Sequence, residues 1–99
     1  MARFDVHENP AGPGFLLDCQ ADMLSGLNTR FVVPLLPPDV APRASERLNP
    51  LVEVQGETVV MMTHFAASIT KRELGERVTS LDHEHSIIIN ALDMLITGY

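Results

Sequence analysis

The chain has 99 residues, the length of one small domain. Its net charge is −6 at pH 7, and its seven lysines and arginines are scattered, whereas nucleic-acid binding requires clustered cations. The single cysteine excludes an internal disulfide. No basic segment followed by an apolar run opens the chain, and no apolar stretch approaches the roughly 20 residues that cross a bilayer. We therefore expect one cytoplasmic domain over residues 1–99, without direct contacts to nucleic acid or membrane.

The first third of the chain predicts a β-hairpin followed by an irregular segment. Residues 3–7 and 15–20 have the composition and alternation of strands, and the Pro- and Gly-rich residues 9–14 predict an exposed loop between them. Residues 21–27 are less regular but contain apolar side chains. These side chains either lie beneath the sheet or form a binding surface; they are Met23, Leu24 and Leu27.

The middle of the chain predicts further strands. Residues 29–36 are rich in β-branched and aromatic residues, and Pro34 predicts an edge, a bulge or a bend there because it has no amide donor. The Pro-rich residues 37–48 predict a long surface connection. Residues 51–54 and 58–63 predict a second hairpin around a turn that contains Gly56.

The last third predicts a short strand and a helix. Residues 66–68 interrupt the strand pattern, 69–72 predict a short strand, and 76–78 lead into the helix. The helix is predicted over residues 80–99, with Ser80 as its N-cap. Its core face comprises Leu81, Ile88, Ala91, Leu92 and Leu95. Two further pairs of apolar residues flank this face, Ile87 with Met94 on one side and Ile89 with Ile96 on the other. Such a wide apolar arc indicates either a partner protein or a helix that its own domain buries on two sides.

Five or so short strands precede this single helix, without alternation of strands and helices. That order excludes a parallel βαβ sheet and predicts a bent antiparallel sheet or small barrel capped by the helix.

The residues that could carry chemistry do not form a recognisable constellation. His83 and His85 are two positions apart, so on a helix they face opposite sides and do not form the i,i+4 pair that binds zinc. Cys19 has the pattern of a small buried hydrophobe, and Asp18 and Asp22 are suited to accept bonds from turn amides. The two other histidines could each act as a general base but have no partner at a diagnostic spacing; they are His7 and His64. These residues favour binding over catalysis, and we expect no bound cofactor or metal.

The order of several short motifs resembles the CcdB family of bacterial toxins. Residues 17–35 have the family pattern of an apolar strand, Asp-x-Gln-x-Asp, two apolar residues, a turn, and an Arg that precedes an apolar run and Pro-Leu. The other matching segments are Asn49-Pro50 and residues 61–63, 67–69 and 91–99. The resemblance extends over almost the whole chain.

This resemblance implies a mainly β fold, an SH3-like, five-stranded antiparallel sheet or barrel of the CcdB/MazF/Kid type, with a small extra sheet and one long C-terminal helix. It also implies a symmetric homodimer that is not an enzyme. Toxins of this family, which serve in plasmid maintenance, bind the A subunit of DNA gyrase and trap it on cleaved DNA. A CcdA-like antitoxin neutralises them with a segment that becomes ordered on binding.

The resemblance also assigns residues to the two interfaces. The gyrase-binding set is Ala21, Met23, Leu24, Asp93, Ile96, Thr97, Gly98 and Tyr99. The dimer interface would use Ile87, Met94, Thr97, Gly98 and Tyr99.

Four of these positions depart from the best-known members. Thr97 replaces a Trp, and Tyr99 replaces a terminal aliphatic residue. Ala21 replaces a hydroxyl residue and Asp93 an amide. Because a large indole is often a binding hot spot, an alternative is a family member that binds its antitoxin but poisons gyrase weakly or not at all. A further alternative is a MazF/Kid-like endoribonuclease, which the acidic charge disfavours because such enzymes need basic residues and an acid–base pair.

Overall fold

The computed structural model describes residues 2–98, which form an antiparallel sheet and one α-helix. The strands are β1 (Asp5–Glu8), β2 (Phe15–Asp18), β3 (Thr29–Leu36), β4 (Leu51–Val54), β5 (Glu57–Met61), β6 (Ala67–Thr70) and β7 (Arg77–Ser80), and the helix is α1 (His85–Thr97). The sheet order is β4-β5-β3-β2-β1-β7, and β6 pairs with β3 beside β5. The predicted fold class, mainly β and antiparallel with one C-terminal helix, is confirmed.

Strand β3 lies at the centre of the sheet and changes partners at Pro34. One side of β3 pairs with β2, while the other pairs first with β6, as far as Val32, and then with β5 from Leu35. Pro34 lies in the gap between these two partners, and its carbonyl accepts a bond from the amide of Met62 at 2.9 Å. The proline therefore interrupts pairing on one side only, at a point where no neighbouring strand needs its missing donor.

The core lies between one face of the sheet and α1. The strands contribute large apolar side chains that alternate along the chain, as expected for a sheet buried on one face. Its fully or almost fully buried members are Phe4, Val6, Leu17, Val33, Leu35, Val52, Val54, Val59, Met61, Leu81, Ile88, Ala91 and Leu92. Burial of each large aliphatic or aromatic side chain in this set contributes about 1.5–3 kcal/mol to the stability of the fold.

The hairpin of β4 and β5 has a tighter turn than predicted. Gln55 and Gly56 both have positive φ, +52° and +81°, as in a two-residue type I′ turn. Glu57 therefore pairs with Val54 as the first residue of β5 instead of lying in the connection.

The sequence interpretation is wrong for two short segments before the helix. Ala67 and Ser68 were expected to interrupt the strand pattern, but they begin β6 and pair with β3. Residues 76–78 were interpreted as a lead into the helix and Ser80 as its N-cap, but residues 77–80 form β7 and pair with β1, with Val6 opposite Thr79. Both segments are stabilised by pairing with strands distant in sequence, which local patterns do not reveal.

The helix begins later than predicted. Ser80 ends β7, and its hydroxyl accepts a bond from the amide of Asp82 at 3.1 Å just before the 3₁₀ turn Asp82–Glu84, so Ser80 is not the N-cap of the α-helix. α1 then starts at His85. In the part of the chain described, no helix is both long and apolar enough to cross a membrane.

Candidate partner-binding surface

The last turn of α1 extends beyond the core. Leu92 is the last buried residue of the helix, and residues 95–98 are all exposed. Leu95, predicted to belong to the core face, is 42% exposed, and Ile96 is 75% exposed. The prediction for Leu95 is wrong because the periodicity continues along the helix after the sheet beneath it has ended. The helix tip therefore presents the apolar side chains of Leu95 and Ile96 to solvent.

The end of the helix has a defined backbone geometry. Gly98 has φ +81°, and its amide donates to the carbonyl of Met94 at 3.0 Å, which is a left-handed C-cap that glycine adopts at little cost. The hydroxyl of Thr97 donates back to the carbonyl of Asp93 at 2.7 Å, so its hydrogen is engaged within the helix. Tyr99, which belongs to both predicted interface sets, lies outside the described residues.

One flank of α1 carries the predicted dimer residues. Ile87 is 40% exposed, while Met94 is half-buried and its sulfur lies 4.0 Å from the hydroxyl of Ser45. On the other flank Ile89 is half-buried against the core. The helix packs against the 3₁₀ turn that contains Phe65, whose ring is 42% exposed. Phe65 was missed by the sequence analysis because no periodic pattern includes it.

A second apolar surface lies on the connection between β2 and β3. The 3₁₀ turn Asp22–Leu24 holds Met23 91% exposed and Leu24 48% exposed, and Leu27 beyond it is 50% exposed. Ala21, which precedes the turn, is half-buried. Of the two possibilities left open for this segment, the structure excludes burial beneath the sheet.

Hydrogen bonds fix this turn to the sheet. The side chain of Gln20 is buried, donates to the carbonyl of Leu24 at 2.9 Å and accepts from the amide of Phe31 at 2.9 Å. The amine of Lys71 donates to the carbonyl of Ser25 at 2.8 Å. The exposed Met23 is thus held on a backbone that is anchored on both sides.

A buried ion pair between Asp18 and Arg30 contacts the backbone of Gln20. Asp18 accepts two bonds through Oδ2 from the guanidinium of Arg30, at 2.6 and 3.0 Å, and accepts the amide of Gln20 through Oδ1 at 3.0 Å. Asp22 accepts the amide of Arg3 through Oδ1 at 2.7 Å. The expected bond to a nearby turn amide is confirmed for Asp18, whereas Asp22 bonds to an amide 19 residues away in sequence. The ion pair of Asp18 with Arg30 was not indicated by spacing in the sequence.

The two apolar surfaces lie on different elements of the protomer. α1 packs on the sheet through the core and also contacts the 3₁₀ turns Thr63–Phe65 and Asp82–Glu84, whereas the turn Asp22–Leu24 is anchored through Gln20 and Phe31. The residues of the predicted gyrase-binding set therefore fall into two groups, one on each surface.

The comparisons with known proteins agree with this architecture. The family described as "CcdB protein" matches residues 3–98. The chain belongs to the CcdB family. Its fold is also similar to that of a solved structure described as an endoribonuclease in complex with its cognate antitoxin from Mycobacterial species. The TM-score is 0.76 with 15% sequence identity, over 97% of this chain and 94% of the other. At this identity the similarity establishes a common fold.

Several side chains of this CcdB-family chain that could carry chemistry have structural contacts or are largely desolvated. No three side chains of the metal-binding types come together between residues 2 and 98. Nδ1 of His7 lies 3.1 Å from the carbonyl oxygen of Gly75. Nδ1 of His64 lies 3.3 Å from the side-chain nitrogen Nδ2 of Asn49, so each of these imidazoles has a structural partner. Burial, with the charge of Asp18, raises the pKa of the Cys19 thiol to about 12. The thiol therefore stays protonated and poorly nucleophilic at neutral pH.

Proposed function

We propose that this protein is the toxin of a type II toxin–antitoxin system, and that it binds the A subunit of DNA gyrase and traps the enzyme on cleaved DNA. The observation that carries this proposal is the pair of exposed apolar side chains, Ile96 at 75% and Met23 at 91%, on an otherwise well-packed member of the CcdB family. Large exposed apolar residues on anchored backbone are suited to bind a partner protein. In this proposal the protein acts by binding and is not an enzyme.

The proposed active species is a homodimer that uses the flank of α1. Ile87 and Met94 lie seven positions apart and therefore on the same side of the helix. A symmetric dimer formed through this flank would also place the helix tips and the Met23 turns of both protomers in one assembly. Sedimentation equilibrium tests this step: Ile87→Asp should yield monomers, and an unchanged mass would contradict the proposed interface.

The proposed neutralising partner is a CcdA-like antitoxin. The mycobacterial endoribonuclease of similar fold was solved with its cognate antitoxin, which supports antitoxin binding as a property to test in this chain. Expression of the protein should arrest growth and induce a DNA-damage response, and co-expression of the antitoxin should restore growth. Normal growth with abundant folded protein would contradict the poisoning activity.

Binding to gyrase can be tested with a matched pair of substitutions. Ile96→Asp places a charge on the helix tip, whereas Val40→Asp places it at another exposed apolar residue, 54% accessible, in the Pro-rich connection. We expect Ile96→Asp to abolish retention of the gyrase A subunit by the immobilised protein and Val40→Asp to leave it intact. Equal retention by both variants would remove the helix tip from the site.

The alternative of a family member with weak or absent poisoning rests on Thr97. This residue stands where the best-known members have a Trp, and its hydroxyl is bonded within the helix. Comparison of the wild type with Thr97→Trp in a gyrase cleavage assay separates the two possibilities. Cleavage by the wild type supports the main proposal, whereas cleavage by the variant alone supports the alternative.

The fold shared with an endoribonuclease gives a second candidate function. Against it, the net charge is −6, and four of the seven basic side chains bond to other groups of the same protomer. They are Arg30 with Asp18, Arg43 with the Asn49 carbonyl, Lys71 with the Ser25 carbonyl and Arg77 with Asp5. Incubation of the purified protein with total RNA tests this candidate, and specific cleavage would favour it over gyrase binding.

A further inference from the structure

The outer edge of β4 is free to accept another strand. β4 is the terminal strand of the sheet order and pairs only with β5. In a two-residue hairpin the residues that flank the turn form a hydrogen-bonded pair, so Val54 and Val52 direct their peptide groups towards β5. The bond from the Met61 amide to the Pro50 carbonyl, at 2.9 Å, continues this alternation. The amides and carbonyls of Leu51 and Glu53 therefore point away from the sheet.

A cleft runs beside this edge. It has a volume of about 430 Å³ and lies between the β4–β5 hairpin and the 3₁₀ turn that precedes α1. Its lining residues are Leu51, Val52, Glu53, Thr58, His83 and Glu84. The strand whose outer peptide groups are free therefore forms part of one wall of this cleft, and the 3₁₀ turn before α1 forms the other.

The charge of the cleft is negative and uncompensated. Glu53 and Glu84 contribute carboxylates, and no lysine or arginine lines the cleft. Neither carboxylate takes part in an ion pair within residues 2–98. Leu51, which is 47% exposed, adds an apolar position two residues from Glu53 on the same side of the strand.

We propose that the β4 edge binds an extended, basic peptide segment of a partner protein, which adds to the sheet as a further strand. The unpaired peptide groups of Leu51 and Glu53 supply the backbone hydrogen bonds, as in other cases of β-strand addition. Because cross-strand neighbours alternate with a period of two, the segment carries an aliphatic residue opposite Leu51 and a Lys or Arg opposite Glu53. The carboxylate of Glu84 provides a second contact for that cation.

A second copy of this chain does not suit the same edge. A second copy of β4, Leu51–Val54, contains no lysine or arginine and so supplies no cation opposite Glu53. In the register that opposes the two Glu53 side chains, like charges across the strand pair would be destabilising. An acidic residue on an edge strand also prevents self-association in many sheets. None of the cleft residues belongs to the proposed gyrase or dimer surfaces, so this site is independent of the proposed function.

The test uses the full chain and a synthetic peptide of about ten residues in which Val and Lys recur with the strand period. Amide hydrogen exchange followed by NMR should show new protection at Leu51 and Glu53 when the peptide is added, while Val52 and Val54 are already protected by β5. A control peptide with Glu in place of Lys should give no protection. Absence of protection with the basic peptide, or equal protection with both peptides, would overturn the proposal.

Substitutions assign the charge contribution. Glu53→Gln and Glu84→Gln should each weaken peptide binding about two- to fivefold, the range expected for partly exposed ion pairs. Glu57→Gln is the control, because Glu57 is exposed on the same hairpin but does not line the cleft, and it should leave the affinity unchanged. If the Leu51 and Glu53 amides of the free protein are protected at high concentration and lose protection on dilution, a second copy occupies the edge and the proposal is wrong.

Discussion

Asp18 and Arg30 form an ion pair in which both side chains are fully buried, with 2.6 Å between Oδ2 and Nη2. The pair joins β2 to β3, and the second oxygen of Asp18 holds the amide of Gln20 at 3.0 Å. Gln20 in turn bonds to the carbonyl of Leu24. The exposed turn that carries Met23 is therefore connected to the interior through a short series of hydrogen bonds, and its position depends on a charge pair that solvent does not reach.

Loss of one partner of this pair should destabilise the protein strongly. Arg30→Met leaves the Asp18 carboxylate buried without a cation, and such changes typically cost about 3–5 kcal/mol. The comparison is Arg77→Met: the Asp5 side chain is also buried, at 8% exposure, but Arg77 is 55% exposed and the amide of Ala2 still donates to Asp5, so a smaller loss of about 1–2 kcal/mol is expected. Urea unfolding measures both values. Similar losses for the two variants would show that burial does not determine the contribution of the Asp18–Arg30 pair.

Two glycines of the β1–β2 loop should respond very differently to alanine. Gly14 has φ +78°, and a Cβ there would lie 2.0 Å from the carbonyl oxygen of Leu35, so Gly14→Ala must displace backbone. A Cβ at Gly12 would have one neighbour within 4 Å, the side-chain nitrogen Nδ2 of Asn9 at 3.8 Å. We expect Gly14→Ala to lower the melting temperature severely and Gly12→Ala to change stability by less than about 1 kcal/mol. A well-folded Gly14→Ala variant with wild-type stability would contradict the close approach of the loop to β3.

The buried thiol of Cys19 predicts a loss of stability at high pH. Its pKa is raised from 9.0 to about 12 in the folded protein, so the unfolded chain loses this proton at a lower pH than the folded one. The stabilisation is present below pH 9, and the free energy of unfolding should fall as the pH rises from 9 towards 12, by up to about 1.4 kcal/mol per pH unit. Urea titrations of the wild type and of Cys19→Ala across this range isolate the effect, because other titrating groups are common to both. Parallel pH profiles would contradict it.

Local pattern identified the elements that have clear boundaries in sequence. β3 and β4 were predicted with their observed limits, 29–36 and 51–54, because runs of β-branched residues end there at Pro, Gly or polar residues. β7 was missed because residues 77–80 have no such run, and their strand conformation depends on pairing with β1. Long-range pairing of this kind has no local signal.

The sequence predicted in part which helix residues are buried, but not the geometry of the candidate surface. The helical periodicity correctly placed Ile88 and Leu92 in the core, but it also included Leu95, because periodicity carries no information on where the sheet below the helix ends. Phe65 lies on a 3₁₀ turn with no amphipathic repeat, so its position beside α1 emerged only from the tertiary structure. The burial of Arg30 was likewise hidden, since a charged residue in a strand is usually exposed.

Two isoleucines on α1 separate the requirements of folding from those of function. Ile88 is fully buried in the core, whereas Ile96 is 75% exposed at the helix tip. Ile88→Ala should therefore cost about 2–5 kcal/mol of stability through lost packing, and Ile96→Ala should stay within about 0.5 kcal/mol of the wild type. Gyrase binding should show the opposite order: Ile96→Ala should lower the affinity for the A subunit, and Ile88→Ala should retain it at temperatures where the variant is folded. Calorimetric binding and thermal unfolding of the same two preparations provide the comparison. If Ile96→Ala binds gyrase as tightly as the wild type, the exposed helix tip has another role than the one proposed.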